Sequence, residues 1–589
     1  MTSRSPAPGL GSEAGIFVVA GAMVVGAVLW AAGAMSALVA GDRVPRGRPL
    51  AGIEALAHFG DPGLPWGTPV GPAVLYWGVN VVVGISVTGV AVAVWRIARR
   101  TGKHGEQDPT RIEGLATRRQ VEAAGGAKLL VARAKVLRPS LSRPEARQVG
   151  YFLGSCRGAD CWASVEDSIF VLGPPRSGKG MHAVIPSILD SPGAVITTAT
   201  RADNLTVTMT ARAARGPVGV FDPQGLAAGV PSALRWSPVR GCERPQTALV
   251  RAAALCADAG KDVESASFWR QQTVTALRCL LHAGALGERT PADLYRWSLS
   301  PAAAREAVDI LVHAPGAAPA WDRALDSIVS ADQRQRDSIW AMVSNALGCL
   351  ADPRVLASVS PEPGEEFQPA KFLKANGTLY LLGTASGAAS TAGLVAALVE
   401  DVVEVARRVA VASPGGRLDP PLGLILDEAA NYPLPSLPAL MSEGGGTGIT
   451  TMAVLQSLDQ ARHRWGRDAA GVIWDSAIVK LILPGVSNAD DLAGIARLVG
   501  HRREREISET SQAGGGKSVS SSTRERPILN PATIRSLRPG HALLLLRSAK
   551  PIMLTLKPWT DRRDATSLRG EREAVELTIQ QTAAAGFDQ

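Results

Sequence analysis

The stretch that most constrains this chain is Gly173-Pro174-Pro175-Arg176-Ser177-Gly178-Lys179-Gly180. Ahead of it, Ser168-Ile169-Phe170-Val171-Leu172 is a short apolar run rich in β-branched and aromatic residues, which reads as a buried strand. Behind it, Met181 to Leu189 reads as a helix. Strand, Gly-x-x-x-x-Gly-Lys loop and helix form the arrangement that cradles a phosphate chain. The glycines let backbone N–H groups close around phosphate oxygens, and the helix N-terminus adds the positive end of its dipole. Lys179 would reach the β- and γ-phosphates. The Ser or Thr usual after the lysine is replaced by Gly180, so the hydroxyl that normally helps to hold Mg²⁺ is missing.

At 589 residues the chain exceeds what one hydrophobic core can organise and predicts two or three domains. Its net charge of +9 suits an anionic partner, and part of that excess lies in the flank of a membrane anchor. The six cysteines are scattered apart from Cys156 and Cys161, with no second pair at zinc-ligand spacing, so they read as reduced thiols of a cytosolic domain.

Residues 1–100 read as a membrane anchor with two transmembrane helices, about 14–40 and 73–95. Both runs are uncharged and long enough to cross the hydrocarbon core. The loop 42–72 joins them, and Trp66, Tyr76, Trp77 and Trp95 are expected at the membrane interface. Arg96, Arg99, Arg100 and Lys103 put that end in the cytoplasm, although Arg43, Arg46 and Arg48 in the loop blur the charge rule. The phosphate loop settles the side, because ATP is cytosolic. Residues 101–242 read as the first part of a nucleotide-binding domain. Strands are expected at Ala194–Thr198 and Val218–Phe221, then at Thr378–Leu382, Leu422–Leu426, Ile449–Leu455, Ile478–Leu483 and Ala542–Leu546. Short apolar strands alternating with helices predict an α/β fold, a largely parallel sheet covered on both faces. Residues 243–355 break the rhythm with helices expected at Gln246–Asp258, Phe268–Ala283, Pro301–Val312, Ala320–Val329 and Arg334–Leu350. They read as an all-α domain inserted into the nucleotide-binding domain, whose second part is 356–589. Ser413–Arg417 and Ser508–Thr523 are Ser- and Gly-rich and read as surface loops, the second long enough to be disordered or to face a ligand.

A phosphate loop needs an acid at the end of a neighbouring strand, and Leu422-Gly423-Leu424-Ile425-Leu426-Asp427-Glu428 supplies two. Asp427 would hold Mg²⁺ through water, and Glu428 would orient or deprotonate the attacking water. Strands of such a sheet deliver side chains to one crevice at their carboxyl ends. The strand Thr451–Leu455 ends at Gln456, whose amide can bond both water and γ-phosphate. These residues together point to ATP hydrolysis.

The chain resembles the type IV coupling proteins, the TraG/TraD group of conjugation ATPases, especially the actinobacterial members. The resemblance rests on residues 173–180, on Leu-Ile-Leu-Asp-Glu-Ala-Ala-Asn at 424–431 and on Ala-Val-Leu-Gln-Ser-Leu-Asp-Gln-Ala-Arg at 453–462, with Phe268-Trp269 and Leu498-Val499-Gly500 in support. Members often carry Gly after the loop lysine. The resemblance implies a RecA-like P-loop NTPase domain, a homo-hexameric ring, ATP and Mg²⁺ as cofactors, and a multi-pass anchor in the bacterial inner membrane. Implied partners are relaxase-bound single-stranded DNA, relaxosome proteins and the components of a type IV secretion channel. Many relatives place an arginine in a Glu-Gly-Arg-x-x-Gly stretch. Here Glu443-Gly444-Gly445-Gly446-Thr447-Gly448 has glycine instead, which makes Arg462, Arg464 and Arg467 the candidate replacements. An FtsK-like translocase is the rival within motors, but the residues after Lys557 are too few for its winged-helix domain. A nucleotide-binding docking receptor with little hydrolysis is the rival outside them.

Overall fold

The structure, a computed structural model, describes residues 11–45, 51–101, 111–231, 233–257, 266–384, 390–511 and 517–587. Lys103, Arg46, Arg48, Asp258 and the centre of the Ser508–Thr523 stretch lie outside them. The chain divides into two compact units, Met1–Asp108 and Pro109–Gln589.

In the first unit two helices, Gly11–Ala40 and Ala73–Thr101, follow the two uncharged runs. Among the described residues, Ala73–Ala93 is the one helix long and apolar enough to cross a membrane. The first expected span lies on Gly11–Ala40, whose described side chains begin at Val25. Trp66 and Tyr76 are buried in a small apolar core with Ala51, Ala55 and Val70, which the Pro- and Gly-rich connection builds for itself. Gly33 makes room for Trp66, since a Cβ there would lie 2.3 Å from the indole ring. Ser36 donates to the Val70 carbonyl at 2.7 Å. Trp77 donates to the Phe59 carbonyl and stacks on the Phe59 ring.

The second unit is built on one mixed sheet. Its strands are β1 (Gly150–Cys156), β2 (Ala159–Ser164), β3 (Ile169–Leu172), β4 (Val195–Ala199), β5 (Val218–Phe221), β6 (Thr378–Leu382), β7 (Leu422–Leu426), β8 (Ile449–Leu455) and β9 (Val479–Ile482). After them come β10 (His501–Ser511), β11 (Lys517–Pro527), β12 (His541–Leu546) and β13 (Ile552–Thr555). Among the described residues eleven strands join in the order β2-β1-β13-β12-β9-β3-β8-β7-β4-β6-β5. From β9 to β5 every pairing is parallel, and β12, β13, β1 and β2 extend the sheet antiparallel.

The parallel strands are apolar at nearly every position because both faces are covered. Phe170, Leu172, Leu424, Leu426 and Leu455 enter one core, shared with helix Ala392–Val411 and with the helices that follow β5. Their neighbours Ile169, Val171, Ile425 and Val454 enter the other, with Val184, Ile188, β1 and β2. Between β5 and β6 the described chain carries the helices Pro245–Leu255, Ala266–Leu286, Pro291–Leu299, Arg305–His313, Trp321–Val329, Gln333–Leu347, Pro353–Ser358 and Pro369–Lys374. Helix Pro245–Leu255 is tied to Ala392–Val411 by a buried ion pair, Arg251 to Asp401 at 2.8 Å. Trp236 donates to the other oxygen of Asp401. Removing one partner of such a pair would leave an uncompensated buried charge, so the two helices are held in register.

The Ser508–Thr523 stretch is not an open surface loop in its described part. It belongs to β10 and β11, an antiparallel ribbon that pairs with no other strand among the described residues. Opposite charges face across it, Arg503 against Glu525 and Glu504 against Arg524, and such pairs stabilise a sheet without any apolar pattern.

Candidate nucleotide site

Three strand ends lie side by side. β3 runs into the loop 173–180, its neighbour β8 ends at Gln456, and β7 beyond it ends at Asp427 and Glu428. All three are parallel, so these residues emerge at one carboxyl edge. The Gly173 N–H donates to the Leu455 carbonyl at 3.0 Å, which fastens the loop's root to β8. A side chain at 173 would collide with Ser177 Oγ at 2.6 Å. Within the loop, Arg176 and Gly178 have φ of 64° and 87°, the left-handed conformation that turns successive N–H groups to one side. The helix that follows opens with a wide turn, Gly180–Val184, before regular helix Ile185–Asp190. Such turns recur at functional sites. The expected helix is therefore present but interrupted; Pro186 provides no N–H for a regular first turn.

The acids are held by their own framework. Thr198 Oγ1 donates to the Asp427 carbonyl at 2.9 Å, and Asn204 Nδ2 donates to Asp427 Oδ2 at 3.1 Å. The other oxygen, Asp427 Oδ1, is buried without a partner among the described residues, as is Ser177 Oγ. Burial pushes the Asp427 carboxyl above its ordinary range, against the pull of the Asn204 amide and the Lys179 charge. Glu428 occupies a left-handed position, φ 51° and ψ 46°, a strain of order 1–3 kcal/mol that marks functional sites. Its carboxylate accepts from Thr200 at 2.8 Å, Asn431 at 2.9 Å and Gln456 at 3.2 Å. Gln456 thus joins β8 to the acid of β7. Tyr432 donates to the carbonyls of Ala199 and Gly383, which anchors the turn after Glu428 to the ends of β4 and β6.

A cleft of about 320 Å³ opens between Gly180, Thr200, Asn204, Asp427 and Glu428. Trp559 and Arg572 close its far side. Sequence reasoning brought together residues 173–180, 427, 428 and 456. It missed Thr198, Thr200, Asn204 and Asn431, which hold the acids, and the late-arriving Trp559 and Arg572. Among the described residues no three His, Cys, Asp or Glu side chains gather as a metal cage. Mg²⁺ in a phosphate site is held by one or two carboxylates with phosphate and water oxygens. The orphaned Asp427 Oδ1 is a buried carboxylate oxygen of the kind that fits such an ion.

The departure at Gly445 has a steric cause. A Cβ there would sit 1.9 Å from the Glu166 carbonyl oxygen, so no arginine fits. Arg417 covers this place instead, donating to the Gly445 carbonyl at 3.1 Å and to Glu166 at 2.7 Å. Arg462, a candidate replacement, pairs with Asp459 and with the buried Asp491. Arg467 lines a separate cavity beside Trp474 and Asp490.

Residues 421–539 match the family described as the TraM recognition site of TraD and TraG. No curated protein matches the sequence. Among solved structures, the bacterial conjugative coupling protein TrwBdeltaN70 in its unbound monoclinic form is similar at 16% identity and a TM-score of 0.50, over 67% of this chain and 85% of that one. TrwB in complex with ADP and Mg²⁺ is similar at 18% identity and a TM-score of 0.48, over 67% and 85%. TrwB with a non-hydrolysable ATP analogue is similar at 17% identity and 0.48, over 67% and 86%. The matched segment carries β7, β8, β9, β10, β11 and the carboxylates of the site. Residues 421–539 thus match a family model of TraD and TraG, and they sit on a mixed α/β fold similar to that of the coupling protein TrwBdeltaN70.

Proposed function

We propose that this protein is a membrane-anchored ATPase that couples a relaxase-bound single-stranded DNA to a type IV conjugative secretion channel and drives its transfer by ATP hydrolysis. The observation that carries the reading is the meeting of the 173–180 loop, Gln456 and the Asp427-Glu428 pair at one edge of one sheet, with a buried Asp427 oxygen that has no partner among the described residues. In this reading the RecA-like P-loop domain comprises 101–242 and 356–589, the all-α domain 243–355 is inserted between them, and 1–100 is the anchor. Apolar side chains left exposed along helix Ala73–Thr101, among them Val74, Val81, Val82, Ile85 and Val90, support a lipid-facing surface. The proposed topology has two spans in the bacterial inner membrane, with the large unit in the cytoplasm and six copies in a ring. The segment 421–539 would serve a relaxosome protein, a reading supported by its match to the TraM recognition site of TraD and TraG.

Loop N–H groups and Lys179 would bind the phosphates, and Asp427 would hold Mg²⁺, which neutralises charge on the phosphate oxygens when bound. Glu428, aligned by Thr200, Asn431 and Gln456, would orient the water and take its proton. Gln456, bonded to Glu428 on one side and rooted beside Gly173 on the other, would transmit the state of the γ-phosphate to the sheet. Gly180 favours one rival, a docking receptor that binds nucleotide and hardly hydrolyses it.

The test is phosphate release by the full chain in lipid nanodiscs, with single-stranded or duplex DNA. The proposal expects turnover stimulated by single-stranded DNA. Turnover that is absent, or unchanged in Glu428→Gln, would favour the receptor. A preference for long duplex with directional movement would favour a segregation motor.

A further inference from the structure

The phosphate loop of this chain lacks the hydroxyl that usually follows its lysine, and the space is not filled by any other residue of the loop. A Cβ built on Gly180 would meet a single heavy atom within 4 Å, the Asn204 Oδ1 at 4.0 Å. Gly180 has no left-handed backbone requirement, so flexibility does not explain the glycine. Asn204 stands near the start of helix Asp203–Ala213, which follows β4, and is 3% exposed. Its Nδ2 donates to Asp427 Oδ2. An ionised carboxylate only accepts, so the amide must turn its nitrogen to Asp427 and its oxygen toward Gly180. Two oxygen acceptors, Asn204 Oδ1 and the partnerless Asp427 Oδ1, thus belong to residues that border the same cleft as Gly180. Of the two, Asp427 Oδ1 is buried with no partner among the described residues, and a buried charged oxygen is stable only when a cation or donor answers it.

We propose that Asn204 provides the metal-facing oxygen that the loop does not, holding Mg²⁺ directly or through one of its waters while its amide aligns Asp427. The loop's missing ligand is thereby moved to the helix after β4. This assignment rests on the nucleotide-site reading above and adds to it a positioning residue on a different element. It also gives Gly180 a reason, because a hydroxyl there would compete for the place Asn204 borders.

The test uses the full chain, a non-hydrolysable ATP analogue and Mn²⁺ as an EPR-visible substitute for Mg²⁺. Changes in the outer ligand framework of a metal typically weaken it about 10- to 100-fold. Asn204→Ala is therefore expected to weaken Mn²⁺ by that factor in the nucleotide complex, with analogue affinity in EDTA unchanged. Adding Gly180→Ser to Asn204→Ala should restore most of the loss, since a side chain at 180 meets nothing closer than the Asn204 oxygen being removed. The analogue affinity in EDTA, measured beside the thermal unfolding of each variant, guards against a folding defect in the alanine variant. Mn²⁺ affinity within twofold of wild type in Asn204→Ala, or no recovery in the double variant, overturns the assignment. Failure of the wild-type chain to bind the analogue overturns the nucleotide-site reading as well, which separates the two failures.

Discussion

Replacing Glu428 by glutamine is the perturbation whose consequences the geometry specifies most fully. The carboxylate accepts three hydrogen bonds, from Thr200 and Asn431 on Oε2 and from Gln456 on Oε1. A glutamine has the same shape, and its best orientation keeps the oxygen toward Thr200 and Asn431. Its NH₂ then faces the Gln456 amide, so one donor loses its acceptor at a cost of about 1–3 kcal/mol. Strands β3, β7 and β8 are buried on both faces, so the fold absorbs this. The loss of the base is larger: general-base catalysis is worth about 10²- to 10⁴-fold, or roughly 3–5 kcal/mol at 1.36 kcal/mol per decade. Nucleotide affinity should hold, because the loop 173–180 and Lys179 do not touch the substituted atom. Steady-state phosphate release and titration with a fluorescent ATP analogue give the two numbers. A kcat within threefold of wild type, or a loss of nucleotide binding equal to the loss of rate, would refute the role given to Glu428.

Two further outcomes follow from packing and charge. Gly445→Ala drives a methyl group against the backbone of Glu166, 1.9 Å from its oxygen and 2.8 Å from its carbonyl carbon. Neither atom is on a flexible side chain, so a loss of about 1–3 kcal/mol is expected in chemical denaturation; a neutral result would show that the 444–447 turn yields. Glu400 is buried in helix Ala392–Val411 and accepts from the Ser436 N–H at 2.9 Å. Burial raises its pKa above 4.5. The folded protein then binds the proton more tightly than the unfolded chain, so stability falls as pH rises from about that unfolded value through the folded one. Glu400→Gln keeps the acceptor and removes the charge. It should be at least as stable as wild type at pH 8 and show a shallower decline of Tm with pH; an unchanged slope would contradict this.

The parts of the fold legible in the sequence are those where one physical requirement dominates. β3 and β7 carry no polar side chain, and β4, β6 and β8 only threonines and a tyrosine, because both faces of the sheet are covered, so their composition alone marks them. β1 and β2 were hidden because Gly154, Gly158 and polar residues interrupt the run, and only pairing across the hairpin makes them strands. The β10–β11 ribbon was hidden for a different reason: its stability rests on cross-strand charges, which look like solvated loop in one dimension. Within the site, the acids and Gln456 were legible because each ends an apolar strand. Asn204 and Thr200 are single polar residues after a strand and carry no pattern. Trp559 and Arg572 reach the cleft from the far end of the chain, which no local signal records.

The most direct measurement of the central claim is a cryo-EM map of the full chain with Mg²⁺ and a non-hydrolysable ATP analogue. The account predicts the triphosphate along the backbone of 173–180, with the metal beside Asp427. Nucleotide bound elsewhere, for example in the cavity walled by Trp236, Arg244 and Phe367, or phosphates that leave Asp427 and Glu428 facing away from them, would contradict it.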